Sequence, residues 1–186
     1  TEAVDEEPRL PLELEGALES LYSNYVKVFD IWEKDEDAAA KGSTPPVFIV
    51  VCNNTNVSRL VYNHIAGWEK TLTDGTTVPV PGKLANFSNV KEGRWSARPY
   101  TILVDNYPSY RLAYCHWYFK KIARGEIEQF KNEYRIRFPG RDPDDLTDDD
   151  LLREVMNTLG NHGHLGEQGR CVVSVSMLTE GWDAST

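Results

Sequence analysis

Two short apolar runs constrain the fold of this chain more than any other feature of its sequence. The runs "VFIVVC" at 47–52 and "CVVSVSML" at 171–178 are rich in β-branched residues and lack the polar–apolar alternation of a half-exposed strand. Continuous apolar runs of this length are typical of parallel strands that are covered on both faces. A shorter run, "TILVD" at 101–105, is a third strand candidate. We expect the first two runs to be parallel strands of the same sheet, with Asn54-Thr55 and Thr179–Asp183 emerging on the same edge.

Segments with helical periodicity separate these strands. Apolar residues recur three or four positions apart in 11–34, which predicts an amphipathic helix there. A second helix is predicted after "VFIVVC", with Thr55 as its N-cap and Ser58 three residues later in a weak capping box. The pattern from Arg111 to about Tyr134 is also helical, although Gly125 interrupts it, so that one kinked helix or two helices fit equally.

The stretch "DDLTDDDLLREVMNTLG" at 144–160 predicts a further helix. Thr147 is the expected N-cap, Asp150 stands at the third helical position, and Gly160 is the expected stop. Apolar strands that alternate with helices indicate an α/β fold with an open, mainly parallel sheet and flanking helices, preceded by an N-terminal helix.

The stretch 68–98 interrupts this alternation. It contains turn signals at Asp74-Gly75 and at Pro81-Gly82 and little helical periodicity, which favours an irregular insertion that includes a hairpin around Asp74-Gly75. Its Pro and Gly content suggests a surface excursion away from the sheet core. We therefore divide the chain into an arm with the amphipathic helix, 1–42, and an α/β domain with an insertion, 43–186.

Composition excludes several classes of protein. The 186 residues contain no apolar run that approaches the length of a membrane helix, and the acidic N-terminus does not resemble a secretory signal. Three widely spaced cysteines, two of them in apolar runs, favour reduced core thiols and a cytoplasmic protein without a membrane partner. The formal net charge of −9 argues against a general polyanion-binding module, so any contact with nucleic acid must be local.

No complete catalytic or metal site is visible in the sequence. The stretch "PGKL" at 81–84 lacks the glycine and the hydroxyl residue of a phosphate loop, and no dinucleotide-binding glycine pattern occurs. The aspartates of 142–150 do not fit the spacing of a calcium loop, so a solvated loop and helix start is favoured. His162 and His164, with Cys171 downstream, lack the paired spacing of a zinc site, and "YCHWYF" at 114–119 fits a helical core better than a base-stacking surface. We expect no metal site.

The stretch "TEGWD" stands where loops bind ligands in parallel sheets, beyond the carboxyl end of a strand. Gly181 lets the backbone approach a ligand closely, and Asp183 can accept hydrogen bonds from hydroxyl groups. Ser176 and Thr179 can donate hydrogen bonds to phosphate oxygens. A plain turn with a packed Trp182 explains the same residues equally well.

At this point the sequence resembles a known family. "CVVSVSMLTEGWDAST" is similar to motif V of superfamily 2 helicases, in the form found in the helicase (Res) subunit of type III restriction enzymes. "PPVFIVVCNNTNVSRLVYNHI" is similar to the motif IV region of that family, where the second motor domain begins. The resemblance implies that this chain is a large part of the second RecA-like domain of an ATP-dependent DNA helicase or translocase. Such domains form an ATP-binding cleft with a first RecA-like domain.

The resemblance also implies roles for individual residues and partners. ATP and Mg²⁺ would bind only to the complete enzyme, because the first motor domain carries the phosphate loop and the acidic Mg-binding motif. An arginine motif that completes catalysis would follow further on, so the catalytic set is incomplete here and no tight nucleotide binding is expected. DNA, the first motor domain and a DNA-methyltransferase (Mod) subunit are the implied partners. The implied nucleotide-cleft residues are Glu180, Gly181 and Asp183, and the implied nucleic-acid contacts are Asn54, Thr55, Ser176 and Thr179.

A different class of protein remains an alternative. A stand-alone α/β binding or signalling module would have the same strands and helices without a motor role. A receiver-like module, however, would carry carboxylates at the end of its first strand, where this chain has Cys52-Asn53-Asn54.

Overall fold

The computed structural model describes most of the chain between residues 9 and 175. The described residues are 9–35, 42–96, 98–104, 131–132, 134–136, 139–140, 142, 146 and 148–175. The predictions for the helix at 111–130, for Thr147 as an N-cap and for 176–186 lie outside them. Among the described residues, no helix combines the length and apolar character that crossing a membrane requires.

The described chain contains both helices and strands, and the fold is of the mixed α/β class. The helices are α1 (Leu12–Lys34), α2 (Thr55–Ala66) and α3 (Asp148–Asn157). The strands are β1 (Phe48–Cys52), β2 (Gly67–Thr71), β3 (Thr77–Pro81), β4 (Val90–Lys91), β5 (Arg94–Trp95), β6 (Thr101–Val104) and β7 (Cys171–Val175).

Three of the strands form a parallel sheet in the order β1–β7–β6. Phe48 of β1 is paired with Cys171 of β7, and Cys52 with Val175, so the two strands are aligned end to end. On the other side of β7, the N-terminal residue Thr101 of β6 is also paired with Cys171. The prediction that "VFIVVC" and "CVVSVSML" are parallel strands of the same sheet is confirmed for the described residues, and the structure adds that they are neighbours. The antiparallel pairs β2–β3 and β4–β5 are additional two-stranded units.

Burial differs sharply between the two apolar strands. All five residues of β7 are buried, as expected for the central strand of a sheet that is covered on both faces. In β1, by contrast, Ile49 and Val51 are 41% and 59% exposed. The prediction that β1 is covered on both faces is therefore wrong, because β1 is an edge strand in the described sheet, and the apolar cluster that covers its neighbour Val172 on this face does not include Ile49 or Val51.

One face of the sheet packs against α1 and α2 through a cluster of aromatic rings. The Phe87 ring lies 4.6 Å from the ring of Tyr25 in α1 and 5.3 Å from that of Phe48 in β1, both measured between centroids. The Tyr25 hydroxyl donates a hydrogen bond to the Pro46 carbonyl, and burial raises the pKa of Tyr25 well above its usual value. This hydrogen bond satisfies the hydroxyl group, which is the one polar group of the buried Tyr25 side chain.

The other face packs against α3. Ile102 and Val172 lie on this face and share an apolar cluster with Val155 of α3, which is almost fully buried. The turn after α3 ends at Gly160, whose φ of 73° lies in the left-handed region, and the Gly160 N–H donates to the Gly166 carbonyl. Gly160 therefore stops the helical stretch, as its position in the sequence predicts.

The insertion 68–98 contains the predicted hairpin, but it does not lie wholly outside the core. Strands β2 and β3 pair around Asp74-Gly75, which confirms the hairpin. The prediction that the insertion lies away from the sheet core is wrong for its second half, because Phe87 is fully buried and belongs to the core cluster on the α1 side. The buried Asn89 side chain donates to the Thr101 carbonyl and accepts from the Thr101 N–H, which fixes this segment to β6.

An ionic cluster holds the loop that leads into β7. The Arg98 guanidinium donates to the Glu167 carboxylate over 2.6 Å, and the Gly163 N–H donates to the same carboxylate oxygen. Partial burial alone would raise the pKa of Glu167, but the hydrogen bonds from Arg98 and Gly163 and the nearby charges lower it. The Arg170 N–H groups donate to the carbonyls of Glu167 and Gly169. The loop is thus fixed immediately before the central strand begins.

Two glycines are expected to respond in opposite ways to substitution by alanine. Gly67 joins α2 to β2 with φ 106° and ψ 170°, a region that is nearly restricted to glycine, and an added Cβ would lie 2.5 Å from the Val80 carbonyl oxygen. Gly67→Ala should therefore lower the free energy of unfolding by about 3 kcal/mol. Gly16→Ala, in the exposed middle of α1 with no atom near the added methyl group, should raise it by about 1 kcal/mol. Urea unfolding of both variants and the parent chain measures these changes, and a neutral Gly67→Ala would contradict the observed backbone at that joint.

Candidate functional site at the carboxyl edge of the sheet

The carboxyl ends of the parallel strands define one edge of the sheet. Because Cys52 is paired with Val175, the loop after β1 leaves the sheet at the edge where β7 ends. Val104, the last residue of β6, is paired with Ser174 and ends at the same level. In open parallel sheets, loops at this edge are the usual place for ligands.

Asn54 begins the helix that starts at this edge. Its side-chain oxygen accepts a hydrogen bond from the Val57 N–H at 3.0 Å, and its backbone is extended, as an N-cap requires. The prediction that Thr55 caps α2 is therefore wrong, since Thr55 is the first helical residue and the cap stands one position earlier. The short side chain of Asn54, like that of Thr55, can accept a hydrogen bond from a backbone N–H in the first turn. The sequence therefore has two adjacent candidate caps, Asn54 and Thr55.

Both polar atoms of the Asn54 side-chain amide form hydrogen bonds. The amide nitrogen donates to the Asn53 side-chain oxygen at 2.9 Å, and the amide oxygen accepts from the Val57 N–H. Ser58 is fully buried in the first turn and donates from its hydroxyl to the Thr55 carbonyl. The first turn of α2 is thus held rigidly by its own polar side chains.

The electrostatics of this edge favour an anion. The N-terminus of a helix carries a partial positive charge, and α2 has no acidic residue in its first turn to neutralise it. Backbone N–H groups at such a position suit phosphate oxygens. Asn54 thus contributes mainly by fixing the helix start, and the backbone of the first turn is the part of the site that could contact a phosphate.

Ser174 is a residue at this edge that the sequence reasoning missed. It is fully buried in β7, and its hydroxyl has no hydrogen-bond partner among the described residues. Val51 of β1 and Val104 of β6 are its neighbours across the sheet. The signal was present in the sequence, because Ser174 is the one polar residue within the otherwise apolar strand "CVVSV".

The structure describes only part of the predicted site. Asn54 and Thr55 lie at the edge where β7 ends, as the predicted arrangement requires. Ser176 follows the last residue of β7 directly in the sequence. The remaining predicted residues lie outside the described part of the chain, namely Ser176, Thr179, Glu180, Gly181 and Asp183.

No set of metal ligands converges within the described part of the chain. Among those residues, no three His, Cys, Asp or Glu side chains lie close enough together to share an ion. The His162 side chain is almost fully exposed, whereas Cys171 is buried in the core, so the two do not form a ligand pair. Burial also raises the pKa of the Cys52 and Cys171 thiols, which makes both poor nucleophiles. Both are free thiols in the core, as predicted.

Comparison of the chain with protein-family models, with curated proteins and with solved structures finds no match.

Two buried hydroxyl groups in neighbouring strands are expected to contribute differently to stability. The Thr101 hydroxyl donates to the Phe87 carbonyl at 2.7 Å, so Thr101→Val should lower the free energy of unfolding by about 1–2 kcal/mol. Ser174→Ala removes a hydroxyl that has no described partner, so it should leave stability unchanged or raise it by about 1 kcal/mol. Chemical denaturation of the 186-residue chain measures both effects. A loss in Ser174→Ala as large as that in Thr101→Val would show that the Ser174 hydroxyl is bonded after all.

Proposed function

We propose that this chain is the second motor domain of an ATP-dependent DNA helicase or translocase of a type III restriction-modification system. The observation that carries the proposal is the end-to-end parallel pairing of β1 and β7. These strands belong to the two stretches that resemble motifs IV and V, and their pairing brings the carboxyl ends of both strands to one edge of the sheet. A RecA-like sheet requires this arrangement, because its loops at that edge face both nucleotide and nucleic acid.

The geometry of α2 supports a backbone contact with DNA. Its N-terminus is held by the Asn54 cap at the shared edge, and the first turn carries no acidic side chain. A contact between the first turn of α2 and a DNA phosphate would position the DNA strand without reading the base sequence. With a net charge of −9 on the whole chain, DNA binding would depend on such local contacts rather than on a broad basic face.

In the proposed enzyme, ATP is the substrate and binds in the cleft between this domain and the first motor domain. The described residues offer no ligand set for Mg²⁺, and the sequence has no phosphate loop, so the Mg–phosphate groups would be held by the partner domain. Glu180, Gly181 and Asp183 would contribute to the cleft from this side, as the resemblance implies. Asp183 would act by accepting hydrogen bonds, and Gly181 would allow close approach of the backbone.

The sequence of the full-length open reading frame separates this proposal from a stand-alone binding or signalling module. A motor requires a phosphate loop upstream of these residues and a Gln-x-x-Gly-Arg-x-x-Arg motif downstream. An open reading frame that lacks both would contradict the motor function and favour the independent module.

The isolated 186-residue chain is expected to lack ATPase activity. The groups that bind Mg–phosphate and the arginine that stabilises the transferred phosphoryl group are outside it in the proposed enzyme. Phosphate release by the purified chain, with and without DNA, should equal that of a buffer blank. ATP hydrolysis that co-purifies with the chain through successive columns would contradict the proposal that the catalytic groups lie outside this chain.

In the complete polypeptide, Asp183→Ala is expected to reduce ATP-driven DNA translocation by at least about tenfold, a loss of about 1.4 kcal/mol in transition-state stabilisation. The melting temperature should change little, since loop carboxylates contribute little to stability. Asp74→Ala is a matched control, because Asp74 is an exposed carboxylate in the β2–β3 turn with no proposed contact to nucleotide. A triplex-displacement assay measures translocation. Equal rates for the two variants would show that Asp183 has no part in the motor.

A further inference from the structure

Helix α1 carries a second apolar face, and none of the described helices and strands packs against it. Its inner face packs on the sheet through Leu18 and Tyr25, which are buried. A separate row of exposed positions runs along one flank of the helix, which we call the outer stripe. The outer stripe consists of Ala17, Leu21, Asn24, Val28 and Ile31, all of them exposed.

The spacing of the outer stripe is that of a coiled-coil seam. Its positions are separated by four, three, four and three residues, which repeats the a/d pattern of a heptad. Leu21, Val28 and Ile31 are 55%, 53% and 71% exposed, so three large apolar side chains of one seam face water. A contiguous exposed apolar stripe on a folded protein marks an interaction surface more often than single scattered residues do.

We propose that the outer stripe pairs with the outer stripe of a second copy of this chain, with the two α1 helices antiparallel. If the helices overlap along their whole length, Ala17 of one copy faces Val28 of the other, and Ile31 lies opposite Leu14, a half-buried residue outside the stripe that also packs against the core of its own chain. Leu21 then faces Asn24 near the two-fold axis. Each layer would combine residues of different size or polarity.

Charge supports the antiparallel direction. The open flank of the stripe carries Glu13, Ser20, Lys27 and Lys34, at intervals of seven residues, whereas the opposite flank is turned toward the core. An antiparallel pair brings the two open flanks together, so that Glu13 meets Lys34 of the second copy and Ser20 meets Lys27. Opposite charges would therefore face each other at both ends of the pair, and no like charges would meet. A parallel pair would place the open flanks on opposite sides and lose these contacts.

The size of the helix predicts a weak dimer. A helix of 23 residues is about 34 Å long, and a single helix pair of that length buries less surface than a typical stable complex. We therefore expect reversible association with a dissociation constant on the order of micromolar to tens of micromolar. This inference does not depend on the proposed motor function, because it uses only α1.

Sedimentation velocity of the 186-residue chain over a wide concentration range tests the dimer. The expected result is a monomer–dimer equilibrium whose dissociation constant rises at least about tenfold in Val28→Glu and in Ile31→Glu, because each variant places a charge in the seam. Leu12→Glu is the matched control: Leu12 is also in α1 and is 81% exposed, but it stands outside the stripe. A chain that stays monomeric at every concentration overturns the proposal, and so does a dimer that the stripe variants leave unchanged.

Disulfide cross-linking tests the direction of the pair and does not rely on the charged variants. Glu13→Cys and Lys34→Cys proteins, mixed and treated with a mild oxidant, should form a linked dimer, while neither variant alone should do so. The native Cys52 and Cys171 are buried, and Cys115→Ser is included in every sample so that the third native cysteine cannot form a link. Ile31→Cys alone should also stay unlinked, since the two Ile31 positions would lie far apart. Efficient linking of Ile31→Cys to itself, or none in the mixture, overturns the antiparallel pairing.

Discussion

The described fold depends on the complete burial of the central strand β7. It receives backbone hydrogen bonds from β1 on one side and β6 on the other, and its side chains alternate between two apolar clusters. Val173 packs on the face that carries α1 and α2, and Val172 packs on the face that carries α3. Because both faces must be covered, α1 and α2 are required on one side of the sheet and α3 on the other.

The same strand sets the geometry of the candidate site. Its register with β1 places the capped N-terminus of α2 at the edge where β7 ends, and the ionic cluster around Glu167 fixes the other end of β7. The site is thus built from a capped helix start beside the carboxyl end of a strand that is paired on both sides. Helix α1 has a double role in this scheme, since one face completes the core and the other remains available to a second copy.

Much of the fold could be predicted from local patterns. The β-branched runs predicted the parallel strands, the apolar spacing of 11–34 predicted α1, and the Asp74-Gly75 turn predicted the hairpin, because each depends on residues close together in the chain. Two predictions about burial were wrong. Ile49 is exposed and Phe87 is buried, because burial depends on which distant segments pack against a residue and not on its own neighbourhood.

For the candidate site, the order of residues was enough to predict that a polar, Asn-bearing turn follows an apolar strand and opens a helix. The folded structure was needed to show that Asn54 rather than Thr55 caps that helix, because the choice depends on backbone angles that both residues can adopt. It also decided that Ser174 is buried without a described partner, since one hydroxyl in an apolar strand can face either side of a sheet. Local chemistry specifies the elements, whereas burial and the pairing of strand ends arise from contacts between residues more than 100 positions apart, such as Cys52 and Val175.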